Sequence, residues 1–326
     1  MPEIDIPNGI PVNQEQHRDY GTALLAEAAT SLASHSWFPY GAGRPMTVVA
    51  PISDADLPDA TQFMRENLNP RIPQEVWLAA FRRSWLQEKP NNGFMLRDQG
   101  RIVGTLGAIY SEQEIAGTRR LFCNITSIIV LPEYRGRTLD LFARCLGQKA
   151  FNFTDLTPSP AVEKICKLLK FRVLVAGEYV CPHLPVLPAL AGLRVLPNET
   201  AGSALPPHVA RVHRDHGGLP WLQRLVIGKP ERFCLVIYRP SQVRNWNSAS
   251  VLYFSDPELY REYYWAIGGH LLLRRGLIAS RISRRFFSSP PPLSLSRESQ
   301  TLLYRGADIP DREVPSIYSE LAALPL

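Results

Sequence analysis

The sequence contains no Cys-x-x-Cys pair. Its five cysteines, Cys123, Cys145, Cys166, Cys181 and Cys234, stand singly along the chain. That excludes a zinc-ribbon ligand set and a paired disulfide framework, and it suits a reducing, cytoplasmic compartment. A membrane span is also lacking. The Ala-rich run at 22–38 is too short and, with Glu27 and His35, too polar to cross a bilayer. The start, MPEIDIPNG, lacks the basic-then-apolar order of a signal peptide. Nor is there an aromatic series interleaved with basic residues. The formal charge of +6 is dispersed, which favours acidic, phosphate-bearing ligands without implying nucleic-acid binding. What is present is 326 residues, 45% hydrophobic and 20% charged, the composition of a globular protein long enough for two domains.

Punctuation divides the chain into an N-terminal extension (1–45), a first domain (46–180), a Pro-rich connection (181–207) and a second α/β unit (208–326). In the first domain a strand at 46–52 precedes a helix through Thr61, Phe63 and Met64, with Asp54 or Asp56 as its cap. A second helix, PQEVWLAAFRRSWLQEK, opens at Pro73 and carries Val76, Trp77, Ala80, Phe81 and Trp85 on one side. Strands at 94–98 and 101–111 follow, joined by Asp98-Gln-Gly100, then a strand at 121–131. Beyond it come a helix from Leu139, a strand at 151–156, a helix at 161–169 capped by Thr157 or Ser159, and a strand at 171–179. The second unit offers strands at 233–238, 251–254 and 277–282, a long helix at 257–275 and a short one at 317–324.

Two polar groupings there invite a function. His213 and His216 flank Asp215, as part of a metal site or a general base would, but no third well-spaced ligand accompanies them, so no metal is expected. Arg274, Arg275, Arg281, Arg284 and Arg285 cluster, either as a solvated helix end or as a patch for a phosphate-bearing substrate or an anionic membrane surface.

The most informative stretch is 121–171. A β-branched run ends at Pro132, which cannot donate to a ladder. The turn Tyr134-Arg135-Gly136-Arg137-Thr138 follows, and Leu139, Phe142 and Leu146 then recur at helical spacing. Strand, glycine-bearing turn and helix in that order make an anion site, because the helix start presents free N–H groups and the positive end of its dipole. The run Val130-x-Pro132-x-Tyr134-Arg135-Gly136-Arg137, the element order around it and the closing Lys170-Phe171 resemble the GNAT superfamily of acyl-CoA-dependent N-acyltransferases.

That resemblance implies a mixed, mostly antiparallel α/β (α+β) sheet flanked by helices. The strand–strand–helix–strand order of the C-terminal half implies a second, degenerate GNAT-like unit. The implied cofactor is acetyl-CoA or another acyl-CoA, acting as co-substrate, and the implied acceptor is an amine, or a hydroxyl, of a small molecule or sugar. Carried onto this sequence, the donor would be held by Ile129, Val130, Arg135, Gly136, Arg137, Thr138 and Leu139, with Thr157 and Ser159 in the later loop. Cys166 takes the position of the family's acid for the departing thiolate. The strand that often carries the base reads Asn124-Ile125-Thr126-Ser127, with no acid. Asp140 falls where the family has a small residue and would place a carboxylate at the anion site. These departures leave two alternatives: a non-catalytic acyl-CoA-binding or scaffold protein, and a transferase using acyl carrier protein or aminoacyl-tRNA.

Overall fold

The computed structural model describes residues 47–83, 85–243 and 245–326. The extension with its Ala-rich helix, His17 and His35 lies outside them. Strand β1 (Thr47–Pro51) leads into α1 (Leu57–Asn67), which buries Leu57, Ala60, Thr61, Phe63 and Met64. Asp56 precedes α1 without capping it. Its carboxylate accepts from the Ser53 N–H at 3.0 Å and pairs with Arg97 at 2.9 Å. Helix α2 (Gln74–Arg82) is shorter than the sequence pattern. Lys89 donates to the Phe81 carbonyl at 2.8 Å, and Trp85 joins Ser111 in a β-bridge.

A three-strand meander follows: β2 (Gly93–Asp98), β3 (Arg101–Ile115) and β4 (Thr118–Val130). Its two hairpin turns, Gln99-Gly100 and Ala116-Gly117, have all four residues at positive φ. That is the primed geometry matching strand twist. A 3₁₀ turn (Pro132–Arg137), α3 (Thr138–Leu146), β5 (Phe151–Asp155), α4 (Pro160–Leu168) and β6 (Arg172–Val173) complete this stretch.

The strand read at 171–179 is two strands. Gly177, at φ +95, separates β6 from β7 (Glu178–Pro182), and the two enter different sheets. The Pro-rich stretch is ordered and includes β8 (Arg194–Leu196). Then come α5 (Pro207–Asp215), β9 (Gln223–Lys229), β10 (Arg232–Val243) and β11 (Trp246–Phe254). The long helix read at 257–275 is broken at Tyr263 into α6 (Pro257–Glu262) and α7 (Tyr264–Arg275). The remaining elements are β12 (Ala279–Ser283), β13 (Leu295–Arg297), β14 (Leu303–Arg305) and α8 (Glu320–Ala323). No described helix is long and apolar enough to cross a membrane.

The described residues form two compact units, 47–173 with 301–324, and 174–300 with 325–326. Each has a seven-stranded sheet flanked by helices. The first runs β1-β2-β3-β4-β5-β14-β6 and the second β8-β9-β10-β11-β12-β7-β13. The pattern is the same: in each, only the fourth and fifth strands are parallel. In the first unit, Leu141 and Phe142 of α3 and Ile165 of α4 pack on Leu96, Ile125 and Phe153. On the opposite face the Phe81 ring lies so close to Gly107 that an added Cβ would sit 2.6 Å from it. In the second unit, Ile267 and Leu271 of α7 pack on Val236 and Val251.

The first sheet is complete only when the chain returns from the second unit to insert β14. Buried Asn152 holds it there. Its amide donates to the Leu121 carbonyl at 3.0 Å, and its carbonyl accepts from the Tyr304 hydroxyl at 3.0 Å and the Ala307 N–H at 2.8 Å. Asn152→Ala removes all three bonds and is expected to lower stability by about 2–4 kcal/mol in urea denaturation. A loss below about 0.5 kcal/mol would show that the clasp is not structural.

Candidate functional site

Strands β4 and β5 pair from Leu121↔Phe151 to Asn124↔Thr154 and no further. The Asn124 side chain closes the ladder by donating to the Thr154 hydroxyl at 3.1 Å. Beyond it β4 bulges. Gly107 faces Thr126 and Thr105 faces Ile129, so β4 holds one extra residue there, and Ser127 stands at φ +53. Such a bulge bends its strand and re-aims the groups beyond it. The Leu131 N–H donates to the Val103 carbonyl at 2.9 Å. Strand alternation therefore aims the Ile129 N–H at β3 and turns the Val130 N–H to the β5 side, where no ladder remains.

The 3₁₀ turn delivers the chain to α3, whose N-terminus has no side-chain cap. Asp140 does not occupy it. Its carboxylate is taken by the Arg137 Nε, while Arg137 Nη1 donates to the Thr47 hydroxyl. Asp140 and Arg137, three residues apart, form an ion pair at the start of α3. Thr138 is buried and donates its hydroxyl to the Arg135 carbonyl at 2.7 Å. Leu139 packs against the core, so only its backbone is available to a ligand. An added Cβ at Gly136 would meet nothing within 4 Å, so this turn has room beside it.

Past the end of β5 lies a group of buried acids. Glu320, at the start of α8, is 0% exposed. Its N–H donates to Asn124 Oδ1 at 3.0 Å. Its Oε1 accepts from the Leu156 N–H at 3.2 Å and from the Thr157 hydroxyl at 2.9 Å. Its Oε2 has no partner among the described residues. Burial pushes the Glu320 carboxyl up to about 7. Asp155, also buried, is pushed well above the carboxylate range by burial and then by the Glu320 charge. Such a pair loses its two protons in separate steps, the second late.

The structure thus brings together Asn124, Asp155, Thr157 and Glu320. Ser159 stands apart as the cap of α4, accepting from the Val162 N–H at 3.3 Å. Cys166 is fully buried in the first core, and burial, followed by the Asp155 charge, pushes its thiol up. Sequence reasoning missed Glu320. The one available signal was an acid set within the otherwise apolar Ile317–Leu324 run.

In the second unit β11 and β12 are parallel from Ser248↔Ala279 to Val251↔Ile282. Here the following helix start is occupied by Asp256, which accepts from the Leu259 N–H at 2.9 Å. Arg232 holds that carboxylate through two bonds of 2.6 and 2.8 Å. The ring of Phe254, ending β11, meets Tyr260 at 4.8 Å, Phe286 at 4.9 Å and Phe287 at 5.5 Å. Rings tie the strand end to the segments around it, and a carboxylate caps the helix.

A carboxyl whose pKa is raised on folding from 4.5 to about 7 binds its proton more tightly folded than unfolded. Its penalty is absent at low pH and grows as pH rises through that window. Glu320→Gln removes the titration. Its stability relative to wild type is therefore expected to improve by about 2–3 kcal/mol between about pH 5 and 8. Parallel denaturation curves with no such pH trend would contradict a buried, titrating Glu320.

No protein-family profile matches the sequence, and no curated protein does. Solved structures do match. A GCN5-related N-acetyltransferase from Anabaena variabilis is 12% identical with a TM-score of 0.56, over 79% of this chain and 72% of its own. A probable N-acyltransferase from Enterococcus faecalis gives 12% and 0.55, over 82% and 73%. A GCN5-related glucosamine N-acetyltransferase region of a fungal multi-domain β-N-acetylglucosaminidase gives 14% and 0.53, over 83% of this chain and 40% of its own. With a sheet whose fourth and fifth strands are parallel and stop pairing before a helix without a side-chain cap, the chain has the fold of the GCN5-related N-acetyltransferases, with the order of the first five strands laid down twice.

Proposed function

We propose that the first unit transfers an acyl group, acetyl in the simplest case, from acyl-CoA to an amine of a small molecule or sugar. The observation that carries this reading is the uncapped N-terminus of α3 directly beyond the divergence of β4 from β5. The residues present fit a CoA pyrophosphate. The Leu139 amide lies at the positive end of the helix dipole, while the Thr138 N–H is already given to the Arg135 carbonyl. Gly136 leaves space beside the turn, and Arg135 adds positive charge, whereas that of Arg137 is offset by its ion pair with Asp140. The Val130 N–H is the donor suited to the thioester arm, and Ile129 supports it from within the ladder. Acyl-CoA would supply the activated carbonyl.

The chain itself must remove a proton from the acceptor ammonium. Glu320 suits that role. It stands just past the end of β5, has an Oε2 without a partner among the described residues and is held by Thr157, and its pKa near 7 matches a neutral operating pH. We assign Ser159 to capping and Cys166 to packing, because one accepts a helix N–H and the other is sealed in the core. The likeness to a glucosamine N-acetyltransferase region supports an amino sugar among acceptors to test. Complete burial of Glu320 favours the second reading, an acyl-CoA-binding protein without turnover.

Thermal denaturation with acetyl-CoA, paired with an acceptor-amine screen, separates the readings. At about 100 times its dissociation constant, acetyl-CoA is expected to stabilise the protein by roughly 2.7 kcal/mol, and Arg135→Glu should lose that shift. Glu320→Gln should keep the shift and lose about 10²–10⁴-fold in kcat. A shift without turnover on any amine supports the binding protein. No shift with any CoA ester contradicts both and moves the donor to acyl carrier protein or aminoacyl-tRNA.

A further inference from the structure

A cleft of about 360 Å³ lies within the second unit, where the end of β8 and the start of β9 meet the last turns of α7. Its polar lining is Asn198, Arg224, His270, Arg274 and Arg275, and no described lining residue is acidic. Leu196, Pro197 and Leu225 supply an apolar wall. The cleft is at the C-terminal end of α7, a helix of 12 residues and so about 18 Å long. Asp256 and the aromatic cluster lie toward its other end, where the donor turn has its counterpart.

The polar groups are braced. Arg224 Nη1 donates to the His213 carbonyl at 2.8 Å and reaches the His213 Nδ1 at 3.4 Å. The other ring nitrogen of His213, Nε2, lies 3.3 Å from Asn198 Oδ1. Burial and then the Arg224 charge push the His213 pKa down. A neutral imidazole facing a guanidinium through Nδ1 carries its proton on Nε2. That proton goes to Asn198 Oδ1 and leaves the Asn198 amide with two donors to offer. Burial pushes the phenol of Tyr238 up, and the nearby Arg275 charge opposes that shift. Burial, then Arg274 and Arg275, push the His270 pKa down, so it adds a neutral polar group rather than a further charge. Glu199, beside the cleft in sequence, favours the Arg224 charge.

Three guanidinium groups without a lining carboxylate match phosphate oxygens in charge and fork geometry. The apolar wall asks for more than an inorganic ion. We propose that this cleft binds a phosphorylated small molecule, its phosphate taken by Arg224, Arg274, Arg275 and the Asn198 amide, and its uncharged part lying on Leu196, Pro197 and Leu225. His213 is the positioning residue of this site. His213 and part of the arginine cluster thereby acquire a shared role that does not depend on the donor site.

The test is calorimetric titration of the full chain with inorganic phosphate, pyrophosphate and phenyl phosphate at fixed ionic strength. Saturable binding is expected, with phenyl phosphate at least about threefold tighter than phosphate because of the apolar wall. Asn198→Asp, which keeps the acceptor for His213 and adds a negative charge, should weaken binding about tenfold or more. The double variant Arg274→Ala/Arg275→Ala should do the same, and both should melt close to wild type because the altered side chains are exposed. Absence of saturable binding would overturn the proposal. So would binding that both variants leave intact and that Arg135→Glu abolishes, since that places the ion at α3.

Discussion

The first unit depends on one side chain amide, that of Asn124. Its nitrogen donates to Thr154 and its oxygen accepts the Glu320 N–H. It therefore fixes where β4 and β5 stop pairing and where the returning chain docks. An apolar residue there would leave a ladder end and a helix start unsatisfied, and buried polar groups are costly unless paired. The same bonds bring a carboxylate to the mouth of β5 that no residue of β4 supplies. The backbone amides left without a ladder partner beyond Asn124 and the placement of the Glu320 carboxyl follow from that arrangement.

One order of five strands, used twice, has been given two different ends. In the first unit the helix after the parallel pair begins uncapped, because Asp140 is drawn off by Arg137. In the second, Asp256 caps the corresponding helix and Arg232 neutralises it, while Phe254, Tyr260, Phe286 and Phe287 cluster at the strand end. A helix start already filled by a carboxylate, with rings packed at the strand end, opposes a phosphate and a pantetheine arm alike. The second unit's charged cleft lies instead at the far end of α7, so the repeat has kept the sheet and moved its polar surface.

Much of this was legible in local sequence. The meander, its first turn, the strand–turn–helix run and the Ser159 cap depend on neighbours within a few residues, where turn chemistry and periodicity act. What was not legible depends on distant partners. Strands β13 and β14 are three residues each and exist only because a partner strand is present. The division of 171–179 between two sheets turns on one glycine at positive φ. Asp140 looked like an obstruction because its partner Arg137 could have pointed anywhere. Glu320 is 196 residues from the asparagine that holds it, and no spacing rule spans that distance.

Amide hydrogen exchange of the full chain with and without acetyl-CoA tests the different fates of the two units most directly. The expected result is slowed exchange at Val130 and at residues 138–141, with no change at 256–260, where a carboxylate already occupies the helix start. Slowing at 256–260, or unchanged exchange at both places under saturating acetyl-CoA, would contradict a donor site formed by the first unit.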